Sequence, residues 1–293
     1  MKILKFVFIF ISLTFYLNAQ KVEINDSIYI IPLNEVNVEG IRVSSDSPIT
    51  HSNLLKDDLK TRNLGQDIPL LLNFLPSVVT SSDAGNGIGY TNLRVRGIDA
   101  TRINVTINGF PYNDSESHSV YWVDLPDFAS NIESFQLQRG IGTSTNGSGA
   151  FGGSINLRSD FLSETPLTEI SSSYGSFKTL KKTLRFSTGL INQNMEFSGR
   201  LSQIDSDGYI ERAKSDLESY FFQFAFKNKN TLFRILGFGG YEITYQSWYG
   251  IDSFKLKKNR DYNPAGEIYD DNGNKTGYYD NQVDNYKQNH IQI

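Results

Sequence analysis

One loop of this chain carries side chains suited to binding a ligand. Asp114, Glu116 and His118 occupy alternate positions in a polar segment that follows a turn, where a packed core would need apolar residues. Their carboxylates and imidazole could ligate or hydrogen-bond a ligand, and Tyr121 and Trp122 behind them could stack against it. The alternative interpretation is that these residues only pack or hydrogen-bond within the protein.

Other motifs that could do chemistry lack the context they need. The three histidines, His51, His118 and His290, are far apart in the sequence, and there is no cysteine. Residues 147–152 match the dinucleotide fingerprint GxGxxG, but a strand pattern over 153–157 follows them. A pyrophosphate would need a helix N-terminus at that place, so we do not interpret the motif as a cofactor site.

A calcium loop is the remaining candidate, and it also fails. Asp270, Asn272 and Asn274 have the first spacing of such a loop, but Lys275 stands where the loop needs glycine. Asn281 stands where the final glutamate is required. The sequence therefore predicts no catalytic residue, no cofactor and no metal site, and the protein is not expected to be an enzyme.

Composition limits the classes of protein that remain. The net charge is −4 and the 28 Lys and Arg residues form no basic block, so no nucleic-acid partner is predicted. Lys2 and Lys5 precede an apolar run over residues 6–17, and the small Ala19 follows, which predicts a signal peptide over residues 1–19. An uncleaved N-terminal anchor is the alternative. Beyond it no apolar stretch reaches the roughly 18 residues of a spanning helix, whereas β-barrel strands of about ten alternating residues remain allowed.

The region from residue 93 to 157 predicts a small, tightly packed sheet. Strand-like runs at 93–96, 103–107, 132–138 and 154–157 alternate with Asn-Gly and multiple-glycine turns. Such a segment forms a compact body and not an open cleft.

The motifs within this region resemble the plug domain of TonB-dependent outer-membrane receptors. They are Arg96-Gly97, the turn at 108–111, Arg139-Gly140 and the glycine-led run at 152–157, in that family's order and spacing. The resemblance implies an α+β plug domain over residues 46–160. Within it, Asp67 is predicted to cap a helix over 66–74 whose Leu70, Leu71 and Phe74 face the core.

The second half alternates apolar and polar residues with period two. From residue 195 to 202, Met195, Phe197 and Leu201 share one face, and Glu196 and Arg200 share the other. Similar runs predict about six strands of an antiparallel transmembrane β-barrel over residues 161–293. A barrel that surrounds a plug has about 22 strands, so a truncated barrel is expected. A soluble β-sandwich is the alternative interpretation.

Residues 20–45 are predicted to be a periplasmic segment that contains a TonB-box-like stretch at 33–40. Alternating valines among polar residues suit a segment that adds itself as a strand to a partner's sheet. The resemblance implies that this partner is the energy-transducing protein TonB. The predicted TonB-contact residues are Leu33, Glu35, Val36, Asn37 and Val38. The alternative is that the stretch is the first strand of the plug.

The resemblance also implies roles for two arginines and two aromatic residues. Arg96 and Arg139 stand in the matching Arg-Gly motifs, where the family's plug arginines pair with barrel carboxylates. Trp248 and Tyr249 belong to a segment, 244–250, that resembles ferric-citrate and siderophore receptors, and they are added to the ligand-binding candidates. They begin a long insert, 246–281, that is expected to be an extracellular loop.

The function implied is TonB-dependent uptake of a scarce solute across the outer membrane. A ferric chelate is the expected solute, and outer-membrane lipid is the expected surroundings of the barrel. Import of a glycan, cobalamin or another metal complex is the alternative within transport. A surface adhesin or signalling barrel that imports nothing is the alternative from another class.

Overall fold

The computed structural model describes residues 41–293, apart from residues 45, 143 and 148. The predicted signal peptide (1–19) and the TonB-box-like stretch (33–40) lie outside the described residues. Two bodies of β-structure follow one another along the described chain. The first, residues 41–160, is called the N-terminal module, and the second is a six-stranded sheet.

A five-stranded mixed sheet forms the centre of the N-terminal module. Its strands are β1 (His51–Leu55), β4 (Ile103–Ile107), β5 (Phe110–Pro111), β6 (Ile132–Arg139) and β7 (Gly153–Ser159). They lie in the order β1-β6-β7-β4-β5, in which only β4 and β7 are parallel. A separate hairpin pairs β2 (Val78–Ser82) with β3 (Thr91–Val95). The strands predicted over 93–96, 103–107, 132–138 and 154–157 are thus confirmed.

Two short helices close the core of this module. They are α1 (Lys56–Lys60) and α2 (Ile68–Leu71), and they pack with the apolar faces of the sheet and the hairpin. The predicted helix over 66–74 is shorter than expected, and Phe74 is 41% exposed beneath the guanidinium of Arg62 instead of facing the core. The prediction for Phe74 was therefore wrong, because the helix ends before that residue can turn inward.

The second body is an antiparallel sheet in the order β8-β9-β10-β11-β12-β15. The strands are β8 (Leu167–Tyr174), β9 (Leu180–Ser187), β10 (Met195–Ser206), β11 (Ser215–Lys227), β12 (Leu232–Tyr245) and β15 (Val283–Gln292). Each strand pairs with the next of these six along the chain, and β12 therefore pairs with β15. The prediction of about six such strands is confirmed.

The period-two pattern assigns the two faces of this sheet. In β10, Phe197 and Leu201 are exposed, whereas Glu196 and Arg200 are each only 1% exposed. On the inner face, Arg200 pairs with Asp127 of the N-terminal module, whereas Glu196 accepts from the backbone N–H of Ser163. The outward side chains form an aromatic layer in which Phe197 stacks on Phe222. The predicted division into an apolar outer face and a polar inner face is therefore observed.

A long connection, residues 246–282, joins β12 to β15. It contains helix α3 (Ser253–Lys258) and a hairpin of β13 (Glu267–Tyr269) and β14 (Lys275–Tyr278). Asp270 closes the hairpin turn by accepting from the backbone N–H groups of Asn272 and Asn274, at 3.0 and 2.7 Å. The calcium-like spacing thus serves a turn.

No helix among the described residues has both the length and the apolar character needed to cross a membrane.

Candidate functional site

The loop over residues 122–131 of the N-terminal module contacts the six-stranded sheet. It consists of two 3-10 helices, Trp122–Asp124 and Phe128–Asn131, and Asp127 between them adopts a left-handed conformation with φ 53°. The ring of Phe128 packs against Phe238 of β12, with centroids 5.2 Å apart. This apolar contact holds the loop against the inner face of the six-stranded sheet, so its polar residues lie at the boundary between the two bodies.

Asp127 is enclosed by polar groups of β9 and β10. Its carboxylate lies 2.5 Å from Lys181 Nζ and 3.0 Å from Arg200 Nη1. It also accepts hydrogen bonds from Thr183 at 3.0 Å and from Ser202 at 2.7 Å. Burial by itself would raise the pKa of Asp127, but the charges of Arg200 and Lys181 outweigh it and hold that pKa well below its usual range.

Asp160 makes a second junction at the end of the N-terminal module. Its two carboxylate oxygens accept from Lys56 of α1 and from Arg185 of β9. Its backbone carbonyl accepts from Arg234 of β12 at 2.9 Å. The cations that pair with Asp127 and Asp160 thus come mainly from the sheet, and the carboxylates come from the N-terminal module.

A cavity of about 350 Å³ lies between the N-terminal module and the ends of β12 and β15. It is lined chiefly by tyrosines and carboxylates. The tyrosines are Tyr90, Tyr112, Tyr121 and Tyr286, and the carboxylates are Asp114, Asp124, Glu242 and Asp284. Neither lysine, arginine nor histidine lines it among the described residues. The cavity is therefore acidic and aromatic.

Hydrogen bonds satisfy only part of this lining. The hydroxyl of Tyr90 donates to Asp284 and lies 3.5 Å from Glu242 Oε1, while Tyr112 donates to Gln288 at 2.8 Å. Glu242 Oε2 is buried and has no hydrogen-bond partner among the described residues. Burial, together with the nearby charge of Asp284, raises the pKa of Asp124 to about 7.

The structure brings together some of the predicted ligand-binding residues. Asp114 and Tyr121 line the cavity, and Trp248 meets the ring of Tyr90 edge-on at 4.9 Å. Tyr249 stacks on Trp248, with centroids 6.4 Å apart. The aromatic start of the long connection therefore lies beside the cavity, as a ligand-binding role would require.

Three other predicted residues have different surroundings. Trp122 is 3% exposed within the hydrophobic core, so its position does not support stacking on a ligand. Glu116 and His118 are exposed and do not line the cavity. Asp114 accepts from the N–H groups of Glu116 and Ser117, which lowers its pKa and orders the loop.

Sequence reasoning missed Tyr90, Asp124, Glu242 and Asp284. Glu242 carried a usable signal, since it has the same parity in β12 as the inward-facing Phe238 and Gly240. A carboxylate on an inward-facing position near a strand end is a candidate for ligand contact. The other three residues come from segments that are distant in the sequence and meet only in the folded protein.

The two predicted pairing arginines bond within the N-terminal module or remain exposed. Arg139 donates to the carbonyl of Pro76 at 3.0 Å and to the hydroxyl of Ser52. Arg96 adopts a left-handed backbone conformation and is exposed. Their pairing with barrel carboxylates stays a prediction. The ion pairs that cross the boundary in the described residues have the opposite polarity.

Residues 43–154 match the family described as TonB-dependent Receptor Plug Domain. This part of the chain is a plug domain of the TonB-dependent receptor type. The N-terminal module is thus the plug, and the six strands after it correspond to the beginning of the receptor barrel. The predicted family and fold class are confirmed, and the matched family consists of receptors and transporters and not of enzymes.

Relatives with known names support this assignment. The vitamin B12 transporter BtuB of Vibrio vulnificus is 26% identical over 194 residues, which are 66% of this chain and 30% of that protein. The unliganded ferric citrate transporter FecA has a TM-score of 0.59 at 14% identity, over 75% of this chain and 35% of that one. FpvA of P. aeruginosa, solved with an iron-bound pyoverdine, has a TM-score of 0.58 at 16% identity, over 84% and 31%. The chain spans about a third of the length of these relatives.

Proposed function

We propose that the receptor to which this chain belongs imports a scarce solute across the outer membrane, energised by TonB, and that the solute is a ferric chelate. The observation that carries the proposal is the cavity between the plug and β12 and β15, which lies beside Trp248 of the long connection. Two solved structures with the same fold support iron as the cargo: FecA is a ferric citrate transporter, and FpvA was solved with an iron-bound pyoverdine.

The connections of the barrel strands orient the cavity. The turns at 188–194 and 228–231 lie at one end of the strands, and the connection at 246–282 lies at the opposite end. Outer-membrane barrels have short periplasmic turns and longer extracellular loops. Glu242 and Asp284 lie near the strand ends that meet the long connection, so the cavity faces the extracellular side.

In the proposed scheme the plug lies in the path of the solute, so release of the solute requires a change in the plug. The stretch at 33–40 is proposed to add itself as a strand to TonB, which then pulls on the plug. The ion pairs of Asp127 and Asp160 resist this pull at the barrel strands. In this scheme no covalent bond forms or breaks, and the residues act only by binding and by holding the plug.

Cobalamin is the second candidate solute. The relative that supports it is the vitamin B12 transporter from Vibrio vulnificus, at 26% identity. The two candidates differ in the cargo and share the same energised step.

The test is uptake by cells that carry the full-length receptor with Val36→Pro. Proline removes a backbone N–H donor from the added strand, so uptake of radiolabelled ferric chelates or cobalamin should stop while binding at the cell surface remains. Val22→Pro, upstream of the stretch, is the matched control and should import normally. Normal uptake by Val36→Pro would reject TonB coupling through residues 33–40.

A further inference from the structure

The cavity between the plug and β12 and β15 has an unbalanced charge. Asp124, Glu242 and Asp284 all face it, and no cationic side chain of the described residues lines it. Asp127, on the same plug loop, has two cations within 3.0 Å. Among the described residues, the lack of a counter-charge therefore distinguishes this cavity from the surroundings of Asp127.

Glu242 has a carboxylate oxygen that could accept a hydrogen bond from a ligand. The residue is 2% exposed, its Oε2 atom has no hydrogen-bond partner among the described residues, and Tyr90 directs its hydroxyl to Asp284. A buried carboxylate oxygen without a donor is costly, and a donor that arrives with a ligand removes that cost. The cavity thus offers an acceptor that the protein itself leaves unused.

We propose that this cavity binds an organic cation, an ammonium or guanidinium group of the imported solute, with Glu242 as its principal acceptor. The inference rests on the proposed function for the statement that the cavity lies on the path of the solute. It narrows the solute to one with a cationic, hydrogen-bond-donating arm, and it disfavours wholly anionic chelates.

The size and aromatic lining of the cavity fit this class of ligand. A volume of about 350 Å³ is at the lower end of the range for small-molecule sites, and far above the roughly 30 Å³ that one water occupies. The rings of Tyr90, Tyr112 and Tyr286 border it, and aromatic faces attract ammonium and guanidinium groups. A planar guanidinium can also bridge two carboxylates through its fixed fork of donors.

Protonation of Asp124 gives the site a dependence on pH. Its raised pKa of about 7 reflects burial and the charge of Asp284. The other titratable groups that line the cavity are Asp114, Glu242, Tyr90, Tyr112, Tyr121 and Tyr286. A cation favours the ionised carboxylate, so cation binding should strengthen as pH rises through about 7.

The test compares butylguanidinium with butylurea, which has nearly the same shape and no charge. Binding to the full-length receptor in detergent is measured by saturation-transfer NMR and by competition at pH 8. Because a hydrogen bond to a charged group contributes about 1.5 kcal/mol or more, butylguanidinium should bind at least about tenfold more tightly than butylurea. Glu242→Gln should remove most of that preference.

Two further variants make the result decisive. Glu218→Gln changes an exposed glutamate on the neighbouring strand β11 and should keep the preference intact. Asp284→Asn, at a less buried position, gives a second test if Glu242→Gln does not fold. Equal binding of the two probes, or a full preference in both cavity variants, would overturn the inference.

The outcome separates this inference from the proposed function. A receptor that prefers butylguanidinium but imports neither ferric chelates nor cobalamin would contradict the proposed function alone. A receptor that imports one of them but shows no cation preference would contradict only the inference.

Discussion

Asp124 and Asp127 lie three residues apart on one plug loop, are both buried, and have opposite electrostatic surroundings. Asp127 faces Lys181 and Arg200 and keeps a depressed pKa, whereas Asp124 faces Asp284 and has a pKa of about 7. Burial is common to both, so the neighbouring charges account for the difference. The same loop thus contributes one carboxylate that holds the plug and another that faces the cavity.

The two aspartates show that carboxylates at the boundary between plug and barrel strands can have different roles. A carboxylate in a buried ion pair has a structural role and is called committed here, because removal of either partner leaves an uncompensated buried charge. A carboxylate without a cation is stable only when protonated or when a ligand supplies the charge. The committed pairs lie around β9 and β10, and the uncommitted carboxylates lie at the ends of β12 and β15.

The largest expected effect comes from exchanging the two carboxylates separately for amides. Asp127→Asn leaves Lys181 and Arg200 without a counter-charge and should destabilise the docked plug by roughly 3 to 5 kcal/mol. Asp124→Asn resembles the protonated form of a group whose pKa burial raises to about 7, so this exchange should not destabilise the docked plug at pH 7. Thermal unfolding of the full-length receptor and leakage of large antibiotics through the outer membrane measure the difference.

Equal destabilisation by the two exchanges would mean that burial, and not pairing, governs the loop. The preserved shape of asparagine makes this comparison one of charge. As a control, Asp207→Asn removes the partner of Lys178 in an exposed ion pair. This exchange should change the stability little, because surface ion pairs contribute about 0 to 1 kcal/mol.

A smaller effect is expected where the loop meets β12. A Cβ atom at Gly240 would lie 2.7 Å from the carbonyl of Asp124 and 2.7 Å from Pro126, so the loop would have to move. Gly240→Ala should therefore cost about 1 to 3 kcal/mol and weaken both the Asp127 pairs and the cavity. Gly237→Ala on the same strand meets no atom within 4 Å and is the control. If both variants unfold at the same temperature, the close approach of the loop is not a constraint.

The sequence was sufficient for the pattern of strands and insufficient for these contacts. Alternation in β10 predicted which side chains face inward, because period-two burial is a local property of a strand. The partners of Asp127 come from positions 181 and 200, and only the docking of two bodies reveals them. The pairing of plug arginines with barrel carboxylates, which the resemblance implies, stays a prediction. The contacts of Asp127 and Asp160 with Lys181 and Arg185 join plug carboxylates to cations of the barrel strands, and the sequence alone did not indicate them.

The ligand residues divide in the same way. Asp114, Tyr121 and Trp248 stood out because polar or aromatic groups in loops are recognisable locally, and they lie at or beside the cavity. Trp122 stood out for the same reason and is a core residue, since local composition does not say which way a side chain turns. Glu242 was missed because it lies inside a strand pattern, where a carboxylate cannot be distinguished from any other inward-facing polar residue.

Asp67 is a third buried carboxyl group of the plug, and its exchange is expected to have the smallest effect near pH 4. Burial raises its pKa to about 8, yet its carboxyl group accepts from Thr91 at 2.9 Å and lines no described cavity, so a raised pKa alone does not mark a site. Since this pKa is above the unfolded value of 3.8, the contribution to plug stability is complete below about pH 4 and is lost as pH rises through about 8. Asp67→Asn should flatten that decline in melts of the full-length receptor, so the variant should differ little from the wild type near pH 4 and melt at a higher temperature than the wild type at pH 7. A decline that persists in the variant would assign the pH dependence to other groups, with Asp124 the next to exchange.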